Sequence, residues 1–112
     1  MSELENKHCV PCEGGVEPLS LFTARELLKD IPEWEISTDG KKISRRFSFR
    51  NFYVTMGFVN AISWMANQEN HHPDLEVGFN YCVVHYQTHA INGLSENDFI
   101  CAAKVNQLEK RK

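Results

Sequence analysis

The spacing of apolar residues changes several times along the chain, and each change marks an element. Phe52, Met56, Val59, Ile62 and Ala66 recur at steps of three and four, which predicts a helix from Asn51 to about Gln68 with one apolar stripe. Phe58 and Trp64 add bulk on flanking positions, and the periodicity reads these aromatics as packing. From Asp74 to Phe79 the period falls to two, with Leu75, Val77 and Phe79 opposite Glu76 and Gly78. Cys82 to Thr88 alternates in the same way, setting Cys82, Val84 and Tyr86 against Val83, His85 and Gln87. A tight turn near Asn80 makes these two strands a hairpin. A second hairpin is expected upstream, with strands Trp34–Ser37 and Lys42–Phe49 around the Asp39-Gly40 turn signal.

Three helices separate and flank the hairpins. The first is expected to start near Thr23, whose spacing from Glu26 is that of a capping box, with Leu27 and Leu28 inward and Pro32 as its stop. The last is expected from about Ser95 to Glu109, with the same spacing between Ser95 and Asp98. Its inner face is Phe99, Ala102, Ala103 and Asn106, with Val105 and Leu108 beside it. Residues 1–19 contain Pro11, Gly14, Gly15 and Pro18 without periodicity and read as an N-terminal arm, leaving 20–112 as a single domain. The order α-β-β-α-β-β-α predicts an α+β two-layer fold, a four-stranded antiparallel sheet with three helices on one face. The uncovered sheet face or an edge strand is then free to pair with another subunit.

Composition narrows the function classes. The chain has 112 residues and a net charge of −3, and its only basic run is Lys110-Arg111-Lys112, so a nucleic-acid-binding face is not expected. No apolar run approaches the ~20 residues of a membrane span. The stretch Met1 to Glu5 lacks the basic and apolar regions of a signal peptide, so the cytoplasm is the expected compartment. There the four cysteines, Cys9, Cys12, Cys82 and Cys101, are expected as free thiols. Cys82 and Cys101 sit in apolar patterns and read as small core residues. Cys9-x-x-Cys12 has no second such pair and is followed by Gly14-Gly15, so it reads as a structural segment before a zinc or redox site.

Four of the five histidines, His71, His72, His85 and His89, fall within one short stretch. A turn at Asn80-Tyr81 would set His89 opposite His72, and a turn at Phe79-Asn80 would set it opposite Asn70. Either register returns His89 to the Asn70-His71-His72-Pro73 segment, where opposed Cβ atoms are only about 4.5–5.5 Å apart. Imidazoles around one cleft suit proton transfer near neutral pH. The chain has no Gly-x-Ser-x-Gly motif and no glycine-rich phosphate loop. Adjacent His71 and His72 diverge in an extended segment, and a helical His pair four residues apart is missing, which weighs against zinc. On these residues alone an acid–base site leads, with a metal site and plain strand-end polar groups still open.

The run His71-His72-Pro73, the aromatic Phe79, Thr88-His89, Gly93-Leu94 and Asp98 resembles the signature of the pterin-4a-carbinolamine dehydratases. The entry to the second helix, Phe47-Ser48-Phe49 to Asn51-Phe52, is similar too. So is the bacterial-type arm Cys9-Val10-Pro11-Cys12-Glu13-Gly14-Gly15, and the likeness spans nearly the whole chain. The resemblance implies a lyase that removes water from 4a-hydroxytetrahydropterin to give quinonoid dihydropterin. It thereby recycles the pterin of an aromatic amino-acid hydroxylase. It implies His71, His72 and His89 as catalytic residues, with Pro73, Thr88, Ala90 and Ile91 as further substrate contacts and Asp98 in support. His71 and His89 are expected to share the acid and base roles, with His72 orienting the substrate. Asp98 reads equally as a helix cap, and the two roles can coexist. His85 matches no essential position and reads as an exposed strand residue. The resemblance implies no cofactor, no metal, and a homodimer or homotetramer, while charge and hydropathy leave no nucleic-acid or membrane partner expected. It departs at Asn67, where the family carries an acid four positions before the first histidine; Glu69 and Glu76 lie nearby at other positions. The alternative reading is a non-catalytic dimerisation or regulatory binding module of the same fold.

Overall fold

A computed structural model describes residues 3–10 and 17–110. Helices α1 (Leu21–Leu28), α2 (Phe52–Glu69) and α3 (Glu96–Glu109) alternate with strand pairs β1 (Glu35–Ile36) and β2 (Ile43–Ser48), then β3 (Asp74–Val77) and β4 (Tyr81–Tyr86). The four strands form one antiparallel sheet in the order β1-β2-β4-β3, so β1 and β3 are its edges. This is the expected α+β arrangement of three helices and a four-stranded antiparallel sheet.

Local chemistry explains where each element starts. Asn51 caps α2 by accepting a bond from the Val54 amide, and Ser20 caps α1 by accepting one from the Thr23 amide. The first helix therefore begins at Leu21, ahead of the expected Thr23 start, because Ser20 supplies the cap. We expect Ser20→Ala to cost about 1 kcal/mol of stability, read from the denaturant midpoint. At the first hairpin Gly40 has φ 73°, a left-handed conformation that glycine adopts without steric cost. Ser37 braces that turn through its hydroxyl, which accepts from the Lys41 and Lys42 amides. At the second hairpin Asp74 pairs with His85 and Val77 with Cys82, which selects the Phe79-Asn80 turn of the two registers considered. The Tyr81 ring lies across Gly78, so that a side chain at Gly78 would collide with it.

The core lies between the sheet and the helices. Ile43, Phe47, Phe49, Cys82, Val84 and Tyr86 project inward from the sheet and are buried. Phe47 and Phe49 both pack on Phe58 of α2, at ring-centroid distances of 4.8 and 5.0 Å. The buried stripe of α2 is Thr55, Phe58, Ile62, Met65 and Ala66. It is rotated from the expected one: Phe58 is core, whereas Phe52 is half exposed and Met56 and Val59 lie at the boundary. Because apolar residues surround much of this helix, spacing alone did not decide which side faces inward. Trp64 stays exposed. Thr55 occupies the stripe because its hydroxyl has acceptors, the Asn51 and Phe79 carbonyls.

Helix α3 is buried nearly all round from Asn97 to Asn106, not on a single face. One side meets the sheet, where the Asn106 side-chain oxygen accepts from the Trp34 indole (2.9 Å) and the Arg45 guanidinium (2.6 Å). The other side is covered by the N-terminal arm. Leu4 in a 3-10 turn over Leu4–Asn6 is buried, Lys104 donates to the Glu5 carbonyl, and Lys7 pairs with Glu96 at 2.9 Å. Further along, the Leu19 amide donates to the Leu94 carbonyl, and Pro18 packs on Gly93 where no Cβ would fit. No helix among the described residues is long and apolar enough to cross a membrane.

Candidate active site

The second hairpin opens toward the end of α2, and this junction builds the site. Asn70 ends α2 in a left-handed conformation (φ 53°), and the His71 amide still bonds back to the Ala66 carbonyl. Pro73 then forbids further helix, so His71 and His72 lie on the short link into β3. On the partner side β4 stops at Tyr86, and His89 opens a 3-10 turn over His89–Ile91. Thr88 is held beneath it by backbone bonds to Gly93 in both directions.

His71, His72 and His89 line one cavity of about 440 Å³. Thr88 and Ala90 also line it. Pro73 instead borders a neighbouring groove with His72 and Asn67, and Ile91 is buried behind its own turn. Asp98 lies under the wall with 0% exposure.

Asp98 organises the interior side of this cavity. Its Oδ1 accepts from His71 Nε2 at 2.7 Å. Its Oδ2 accepts from the Thr88 hydroxyl at 2.8 Å and from the Ser95 amide at 3.0 Å. Since the Thr88 proton points at Asp98, the Ser95 hydroxyl is the donor in its 2.7 Å contact with Thr88. One carboxylate thus bonds a histidine and caps α3 with separate oxygens. The His71 ring is also stacked on Tyr86, with centroids 5.6 Å apart and planes within 11°. His71 is thereby fixed on two sides. His89 is held far less: its side chain is 63% exposed and its Nε2 stands 3.8 Å from Asp74 Oδ2.

Several cavity residues were not anticipated from the sequence: Cys9 and Val10 from the arm, Gln68 and Glu69 from the end of α2, Gln87 from beyond β4, and Asn97 from α3. Asn97 holds Val10 from both sides, accepting from its amide (3.1 Å) and donating to its carbonyl (2.6 Å). Glu69 accepts from the Cys9 amide at 2.8 Å and contacts His8 Nδ1 at 3.0 Å. Only the Cys9 motif hinted at these contacts, because the arm pairs with residues some 60 to 90 positions away. Cys12 lies outside the described residues.

Burial pushes the Glu69 carboxyl up, but the Cys9 amide, His8 and Lys104 together outweigh it, and the net displacement is below the ordinary 4.5. A lowered value means that ionised Glu69 favours the folded, arm-docked state at neutral pH. That contribution is complete above the ordinary value and fades as the pH falls through the lowered one. Amide exchange at Cys9 and Val10, corrected for intrinsic pH dependence, should therefore lose protection in acid below pH 4.5, and Glu69→Gln should remove this dependence.

His85 is not an exposed strand residue. Its side chain is 19% exposed, with Nδ1 against the Ser44 hydroxyl and Nε2 against Glu76, each at 2.5 Å. It belongs to the outer sheet face, away from the cavity, because cross-strand pairing places it opposite both Ser44 and Asp74. Glu76 is committed to that contact, and Asn67 faces the groove shared with His72 and Pro73. Among the described residues no three His, Cys, Asp or Glu side chains gather as a metal-ligating group.

Residues 17–108 match the family model for pterin 4 alpha carbinolamine dehydratase. A protein of Legionella pneumophila bearing the name pterin-4-alpha-carbinolamine dehydratase is 57% identical over 108 residues, covering 96% of each chain. A protein of the same name from Nitrosomonas europaea is 56% identical, covering 96% of this chain and 95% of its own. Among solved structures, the transcriptional coactivator/pterin dehydratase of Brucella melitensis superimposes with a TM-score of 0.78 at 28% identity, covering 82% of this chain and 98% of that one. With the family model covering most of the chain and these relatives aligned over nearly its whole length, the chain belongs to the pterin-4a-carbinolamine dehydratase family of hydro-lyases.

Proposed function

We propose that the cavity binds 4a-hydroxytetrahydropterin and eliminates water by histidine acid–base catalysis. The hydroxyl leaves C4a with a proton, the N5 proton passes to a base, and a C4a–N5 double bond forms. Atoms balance as quinonoid dihydropterin plus water. The observation that carries this reading is the bond from His71 Nε2 to the fully buried Asp98. It fixes the hydrogen on Nε2, leaving Nδ1 to exchange a proton, and it stabilises the imidazolium formed when His71 gains one. His89, exposed and loosely held, is the second proton carrier, and the two divide the acid and base roles. His72 orients the substrate, with Pro73, Thr88, Ala90 and Ile91 shaping the surrounding wall.

The 4a-hydroxy adduct arises when an aromatic amino-acid hydroxylase oxidises its pterin, so the enzyme acts after such a hydroxylase, in the cytoplasm. It works as a homo-oligomer, dimer or tetramer. Supporting this are the open edge of β3 and a run of exposed apolar side chains, Phe52, Tyr53, Val77 and Phe79, joined where Thr55 of α2 bonds the Phe79 carbonyl.

The site is tested by titrating labelled protein with a stable tetrahydropterin and following its imidazole resonances. Those of His71, His72 and His89 should shift, while those of His8 and His85 stay in place. Saturable shifts at His85 with none at His71 or His89 would move the pterin elsewhere.

A further inference from the structure

The arm brings a second reactive group to the cavity wall. Cys9 Sγ lies 3.3 Å from Cys101 Sγ, although the two are 92 residues apart. Cys9 is partly exposed, and Cys101 is fully buried in α3. The Cys9 backbone is set by Glu69, and Val10 is held by its paired bonds to Asn97, so the two sulfurs meet in a defined geometry. Cys82 has no such neighbour among the described residues, and burial pushes its thiol up to about 11. The Cys9 contact and burial also hold the Cys101 thiol far above its ordinary range. Cys9, the more exposed of the two, is the sulfur that meets a reagent first.

We propose that Cys9 and Cys101 are a hydroperoxide-oxidisable pair whose disulfide fastens the N-terminal arm as a fixed wall of the histidine cavity. Cys9 sulfur attacks a peroxide oxygen, the O–O bond breaks, and one water leaves with a sulfenic acid on Cys9. Cys101 sulfur then attacks Cys9 sulfur as its proton passes to the departing hydroxyl, the S–O bond breaks, and a second water leaves. Two thiols and one hydrogen peroxide give one disulfide and two waters, with both thiol hydrogens carried off in the water. In a reducing compartment the pair rests as thiols and the bond forms under oxidative load. The bond reaches the catalytic histidines directly: Cys9 and Val10 line the cavity, and Cys101 lies beside the Tyr86 hydroxyl, whose ring stacks on His71. Bond formation is independent of the dehydratase reading; its effect on turnover rests on that reading.

The test treats the whole protein with equimolar hydrogen peroxide, quenches free thiols, and maps peptides by mass. The expected product has lost two hydrogens, links Cys9 to Cys101, and reverts with dithiothreitol. It persists in Cys12→Ser and is missing in Cys9→Ser and Cys101→Ser. Amide exchange at Cys9 and Val10 should slow about tenfold on oxidation, because the arm can no longer open locally. Turnover on the 4a-hydroxytetrahydropterin should fall several-fold and recover with reductant. A Cys9–Cys12 link, or Cys9 sulfinic acid with Cys101 unmodified, would overturn the pairing. The wild-type peptide map decides this even where a variant fails to fold. A Cys9–Cys101 link with unchanged turnover would overturn the coupling to the cavity and leave the dehydratase assignment standing.

Discussion

Replacing His71 with alanine is expected to lower kcat for dehydration by about 100- to 10,000-fold, the range that positioned proton transfer supplies. Of the three cavity histidines, His71 alone is both braced by a buried carboxylate and stacked on a buried ring. An imidazole held in this way keeps one tautomer and one orientation through the reaction, and alanine removes the proton carrier and its alignment together. His89→Ala should also lower kcat. Its loop position leaves folding untouched, since the side chain is mostly solvated and its one carboxylate contact is long. His72→Ala should act mainly on KM, as expected for an orienting group. Stopped-flow dehydration measured beside circular dichroism separates these effects from unfolding. A His71→Ala protein with wild-type kcat would remove His71 from the chemistry.

Asp98→Ala should be the most damaging single change to the fold near the site, at about 3–5 kcal/mol. The side chain has no exposure and accepts three hydrogen bonds, from His71, Thr88 and the Ser95 amide. Alanine strands all three donors, leaves the half-buried His71 imidazole without its acceptor, and removes the Asp98 half of the α3 capping box. Asp98→Asn divides the contributions. The amide oxygen can still serve the Ser95 and Thr88 side, so most stability returns, but its NH2 group cannot accept the His71 Nε2 hydrogen. Activity should therefore stay low in Asp98→Asn while the denaturant midpoint recovers much of the Asp98→Ala loss. Equal stability losses in the two variants would mean that the capping bonds contribute little.

The parts of this molecule legible in its sequence were those controlled by short-range rules. Period-two alternation placed β3 and β4, and hairpin pairing returned His89 to the His71-His72 segment whichever of two turns was chosen. The capping-box spacing of Ser95 and Asp98 also pointed to a residue that touches His71, because Thr88 and the α3 N-terminus meet at the same carboxylate. What could not be read depended on contacts between distant segments. The buried stripe of α2 turned inward through Phe58 because Phe47 on β2 and Phe49 just beyond it pack there, not because its own spacing demanded it. Helix α3 looked one-sided until the arm covered its far side, with Leu4 buried against it. Glu69 gave no local signal of its partner, since Cys9 lies 60 positions away. The reaction and the pterin came from resemblance to a family; the local rules supplied only a place where histidines converge.

The most direct measurement is the rate at which the purified protein dehydrates freshly generated 4a-hydroxytetrahydropterin, compared with the spontaneous rate in the same buffer. The account predicts saturable catalysis in proportion to protein concentration, retained after treatment with a metal chelator and lost in His71→Ala. Dehydration at the spontaneous rate by correctly folded wild-type protein would contradict it and favour a non-catalytic binding module of the same fold.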